Sequence, residues 1–157
     1  MKAFCSRYWV VLFVGVMFTL SISMAVQLDQ SKELSPVQSI APGAKTASTT
    51  NGASADMANY GAATVVVNVG LHSDGTHKIQ LEESTNDSTF TTVAASDISG
   101  ATVSIANTTV DNTVYWFGYL GVNRYLRVAS AVTGTTTAGL VFNATIIRGL
   151  PRYKPTY

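Results

Sequence analysis

Few side chains in this sequence could do chemistry, and the first are His72 and His77, which bracket Ser73-Asp74-Gly75-Thr76. Two imidazoles with a carboxylate across a turn could in principle hold a metal ion. The ordinary reading is a pair of partly exposed turn residues, since Asp-Gly is a turn signal and histidine is common beside one. Glu82 and Glu83 are adjacent, so a strand sends them to opposite faces and they make a poor acid-base pair. One cysteine and two histidines cannot close a Cys/His zinc site, and Cys5 has no partner for an intrachain disulfide. The chain contains no G-x-S-x-G elbow, no H-E-x-x-H and no glycine-rich phosphate loop opening a helix. The expectation is a protein that is not an enzyme and uses no metal or cofactor.

What remains is recognition chemistry. Arg124, Arg127, Arg148 and Arg152 gather in the carboxy-terminal third, with Tyr153 beside the last of them. Guanidinium groups there either solubilise strand ends or anchor a carboxylate or carbonyl of a partner. Residues 113–132 (TVYWFGYLGVNRYLRVASAV) hold three tyrosines and Trp116 in period-two alternation. That stretch reads as two strands joined by a tight turn, a hairpin at the centre of the domain. Apolar or amphipathic groups on both sides of its first strand predict Trp116 in the core. The competing reading is a platform on which a sugar or single-stranded nucleic acid stacks.

The rest of the chain is an all-β frame. Charged residues are 12% of the sequence, so most solvent-facing positions must be hydroxyl or amide groups. β-branched Thr and Val suit a pleated surface, and such a surface suits packing against neighbours. The net charge of +1 lends no support to direct nucleic-acid binding. Residues 62–70 (AATVVVNVG) form a near-continuous apolar run, which predicts a strand buried on both faces. After a turn at Asp74-Gly75, His77, Ile79 and Leu81 alternate with Lys78, Gln80 and Glu82, predicting a strand with one wet side. Val103 and Ile105 alternate with Thr102 and Ser104; Leu140, Phe142, Ala144 and Ile146 oppose Val141, Asn143, Thr145 and Ile147 in a long last strand. Asn51-Gly52 predicts a small hairpin within residues 44–58, the alternative being a loop that orders against a partner. Six to nine strands, with no convincing helix after residue 35, imply an antiparallel β-sandwich or jelly roll. Its expected boundaries are an extended arm over 24–43, a sandwich domain over 44–150 and an extended tail over 151–157, where Pro151 and Pro155 disfavour central pairing.

Residues 1–23 are different in kind. Lys2 and Arg7 precede an apolar run over 8–20 and then small residues at Ser23 and Ala25. The pattern fits a secretory signal; it also nearly reaches the length of a membrane anchor. A third reading starts the protein at Met24, with the upstream residues a misassigned extension.

From Met24 onward the chain resembles a family of small virion structural proteins of tailed bacteriophages, of the capsid decoration or cement type. The matching pieces are Gln27-Leu28-Asp29-Gln30, Ser39-Ile40-Ala41-Pro42, Ser73-Asp74-Gly75-Thr76-His77, Leu81-Glu82-Glu83-Ser84 and Asp87-Ser88-Thr89-Phe90. They continue in Gly118-Tyr119-Leu120-Gly121, Arg124-Tyr125-Leu126-Arg127-Val128 and Arg148-Gly149-Leu150-Pro151-Arg152. The resemblance implies a non-enzymatic protein on the capsid exterior, assembled in the host cytoplasm. Its partners would be the major capsid protein and further copies of itself as a homo-oligomer. The apolar segment before Met24 departs from the family pattern. The alternative is a secreted or membrane-anchored β-sandwich that binds carbohydrate or mediates adhesion, in which residues 1–23 are the signal or anchor. The candidates for the partner interface are Arg124, Arg127, Arg148, Arg152 and Tyr153.

Overall fold

Alternation of apolar and polar residues dominates this chain, and each alternating run buries one side. The computed structural model describes residues 30–100, 103–106 and 111–152. Residues 1–23, the start of the arm, and Tyr153 with the tail beyond it lie outside the described residues. Among the described residues eleven strands are formed, all pairing antiparallel: β1 (Ser35–Lys45), β2 (Thr49–Asn51), β3 (Ala55–Asp56), β4 (Tyr60–His72), β5 (Thr76–Ser84), β6 (Thr91–Thr92), β7 (Ile98–Ser99), β8 (Val103–Ile105), β9 (Val114–Tyr119), β10 (Tyr125–Thr133) and β11 (Leu140–Pro151). Short 3-10 turns occupy Gln30–Lys32 and Ala95–Asp97.

One sheet has the order β1-β11-β4-β9-β7; the other runs β2-β10-β5-β6, with β3 also on β10 and β8 also on β5. Their inner faces share a single core. Val65, Val67, Phe117, Phe142 and Ile146 come from the first sheet, and Ile79, Leu81, Ile105, Leu126 and Val128 from the second. The expected all-β sandwich is the architecture observed. The alternations in β5, β8 and β11 bury the residues expected of them, because each strand has one neighbouring layer to pack on.

Residues 113–132 do not form a hairpin. β9 lies in the first sheet between β4 and β7, whereas β10 lies in the second between β2 and β5. Phe117 and Tyr119 point into the core from one side while Leu126 and Val128 point in from the other. Two layers each need an apolar inner face, and splitting this stretch between them supplies both. The crossing is tight, because the Tyr119 ring sits where a β-carbon on Gly121 would be. Trp116 is consequently on the outer face and is 71% exposed, whereas the adjacent Phe117 is 1% exposed. Of this adjacent pair Phe117 is the core residue, and the expectation of a buried Trp116 is overturned.

Other local expectations change for the same reason. β4 is buried on one face only, with Val65, Val67 and Val69 inside and Thr64 and Asn68 exposed. Asn51-Gly52 does not close a hairpin, since β2 and β3 both pair with β10. The Gly52 N–H instead donates to the Val128 carbonyl at 2.8 Å, a close backbone approach that leaves no room for a side chain. Residues 35–43, expected as arm, belong to edge strand β1, which pairs along β11 and buries Ile40. Pro151 ends β11 opposite Tyr60, at the last position of the strand, where a missing N–H costs least.

Candidate interaction site

The arginines lie toward one end of the sandwich, where β1 begins and β11 ends. Ser35 stands opposite Arg148, Arg148 opposite Ala63, and Pro151 opposite Tyr60. The Arg148 guanidinium donates to the Asp56 carbonyl at 2.8 Å and to the Ser35 hydroxyl at 2.7 Å, and stacks 4.4 Å from the Tyr60 ring centroid. It therefore ties β1, β3 and β4 together from its place on β11.

Arg124, which immediately precedes β10, forms a forked pair with Asp56: Nε to Oδ1 at 3.0 Å and Nη2 to Oδ2 at 2.7 Å. That guanidinium holds the Asp56 carboxyl down to about 2, and Asp56 in turn raises Arg124 above its ordinary value. Both side chains remain wet, at 54% and 41% exposure. Arg127, on the outer face of the second sheet, meets Glu82 at 2.7 Å and covers Phe90 at 4.1 Å from its ring centroid. Arg152 is exposed, and its N–H donates to the Asn59 carbonyl at 2.8 Å.

Three of the arginines are thus occupied within the chain, and what they share is an end of the molecule. The carboxylate that joins two of them through its side chain and its carbonyl, Asp56, was not singled out in the sequence. A signal existed. In a chain with nine carboxylates, each one short in supply against ten Lys and Arg, an Asp on a two-residue strand is a natural arginine partner.

His72 and His77 are buried, not partly exposed turn residues. β4 and β5 are in different sheets, so the turn between them arches across the sandwich. Each imidazole Nε2 donates back to that turn, His72 to the Gly75 carbonyl at 2.7 Å and His77 to the Asp74 carbonyl at 3.1 Å. The rings meet edge-on at 6.0 Å. The Asp74 carboxylate faces away from a metal role, because it accepts the N–H groups of Thr137, Ala138 and Gly139. Those bonds lower its pKa. No group of three or more His, Cys, Asp or Glu suited to a metal occurs among the described residues. Glu82 and Glu83 do diverge: Glu82 takes Arg127 outside, while Glu83 accepts the Tyr119 hydroxyl across the sheets at 2.6 Å.

The two outer faces of the sandwich differ. The second sheet carries Lys78, Glu82 and Arg127 outward. On the first sheet, Gln38, Thr145, Val66 and Trp116 stand in one cross-strand row, with Asn143, Asn68 and Val114 in the next outward-facing one. Pro36, Ile147, Thr64, Gly118 and Ser99 form the row on the other side. None of these residues is charged.

The fold and this set of contacts define a two-sheet antiparallel β-sandwich with a basic, aromatic-lined end and one neutral face. Compared with family models, curated proteins and solved structures, the chain matches none. No helix of the described residues is long and apolar enough to cross a membrane.

Proposed function

We propose that this protein is a non-enzymatic virion structural protein that decorates or cements a capsid lattice, attaching by the end that bears the arginines. The observation that carries the reading is that the chain enters and leaves the sandwich at that end: Ser35 opens β1 opposite Arg148, and β11 closes at Pro151 opposite Tyr60. The first described strand therefore begins and the last ends beside Arg124, Arg148 and Arg152, and these guanidiniums can act on one partner surface together. The resemblance to phage decoration proteins supplies the partner class, the major capsid protein and neighbouring copies. Each contact need contribute little, because attachment at several points or as a symmetric oligomer multiplies weak contacts into retention.

The test is mass spectrometry of purified particles together with a density map of the head. The expected result is many copies on the capsid exterior with the Arg148 end facing the lattice, and fewer copies for Arg152→Glu. Absence of the protein from particles would sink the reading.

A further inference from the structure

Trp116, 71% exposed, and Val114, 49% exposed, put apolar surface on the outer face of the first sheet. Trp116 is also not alone. Its row continues through Val66 and Thr145 to Gln38, and Asn68 and Asn143 flank it one pleat along. Four strands at the usual spacing give that row a length of roughly 14 Å. The groups offered are one broad π-face, then amides and hydroxyls that both donate and accept, with no charge in the row.

We infer that the outer face of the first sheet, centred on Trp116, binds a neutral oligosaccharide laid across the strands. A pyranose ring presents a face of C–H bonds that stacks on an indole, while its rim of hydroxyls needs short side chains able to serve as donor and acceptor at once. Gln38, Asn68, Asn143 and Thr145 are such side chains. Charge complementarity selects the class: an anionic glycan or a nucleic acid would lose hydration on this face and find no cation in return. Val66 and Val114 adjoin Trp116, but Gln38, Thr64, Asn68, Asn143 and Thr145 make the rest of the face polar, which a hydrophobic protein partner would leave without hydrogen bonds. The inference does not depend on capsid attachment, which uses the arginine-bearing end of the sandwich rather than this outer face.

The experiment is isothermal titration of the full chain with four neutral hexasaccharides, from cellulose, chitin, laminarin and mannan, and with an oligogalacturonate as the anionic contrast. At least one neutral hexasaccharide is expected to bind and the oligogalacturonate is not. Trp116→Ala should weaken binding by about tenfold or more with an unchanged melting temperature, and Trp116→Tyr should retain most of it. Silence from all four neutral sugars, preference for the anionic one, or unchanged binding in Trp116→Ala each overturns the inference. So does a Trp116→Ala protein that loses its place on particles while the parent binds no sugar, an outcome that would leave the lattice reading standing.

Discussion

The Tyr119 hydroxyl donates to Glu83 Oε2 at 2.6 Å and accepts the Asn123 N–H at 2.9 Å, so one phenol joins the two sheets and fixes the crossing between β9 and β10. Burial first, and then the bond to Glu83, raise the pKa of this tyrosine. It therefore stays protonated, and a donor, throughout the working pH range. Tyr119→Phe keeps the ring that packs over Gly121 but leaves a carboxylate and an amide without this partner. The expected loss is ~1–3 kcal/mol in urea unfolding, with no change in the slope of the transition.

Adjacent aromatics on β9 should behave in opposite ways. Phe117→Ala opens a cavity at the centre of the sandwich and should cost ~3–5 kcal/mol. Trp116→Ala removes an exposed side chain and should stay within ~0.5 kcal/mol of the parent. Thermal melts of the two variants measure the contrast; a large loss in Trp116→Ala would return this residue to the core.

Acid should weaken the arch between β4 and β5. Burial lowers the pKa of His77 below its ordinary 6.5, against the opposing pull of the Asp74 carbonyl and carboxylate. Between that lowered value and about 6.5 the unfolded chain binds more protons than the folded one. The contribution of His77 is thus full above pH 6.5, declines as pH falls below it, and levels off beneath the folded pKa. The buried Nδ1 atom of His77 has no hydrogen-bond partner among the described residues, so a proton added there finds no acceptor. Urea midpoints measured from pH 7.5 down to 5 should fall, and His77→Gln should flatten that slope. A separate decline below about pH 4 is expected from Asp56 and Asp74, whose folded pKa values are lowered from 3.8.

Two glycines near the β10–β11 connection separate strain from collision. Gly134 and Gly139 both have positive φ, 86° and 71°. A β-carbon on Gly134 meets only the distant Gly75 Cα at 4.0 Å, whereas one on Gly139 collides with the Lys45 carbonyl oxygen. Gly134→Ala should cost about 1 kcal/mol, from backbone strain alone. Gly139→Ala must also displace the end of β1 and should cost about 2 kcal/mol more. Equal losses in denaturant titrations would contradict the collision.

Period-two alternation was sufficient to place the strands at His77–Leu81, Val103–Ile105 and Leu140–Ile147 and to sort their side chains onto two faces, because alternation is a property of the strand alone. The class of fold followed from many such runs and the want of helical spacing. Strand pairing was not legible. Residues 113–132 have the alternation of a hairpin, yet whether β10 pairs with β9 or with β5 depends on which layer lacks an inner face, and that is decided only when both layers form. The same choice turned Trp116 outward and Phe117 inward, since each face of β9 carries a large aromatic side chain and alternation alone does not say which face turns in. The arginines were legible as a group by their scarcity in a charge-poor chain, but their partners were not: Asp56 and Arg124 are 68 residues apart, and Ser35 and Arg148 are 113 apart. Contacts at that separation come from the stacking order of strands. Local periodicity determined which side chains of each strand share a face; the competition between two sheets for one core decided what the molecule leaves exposed.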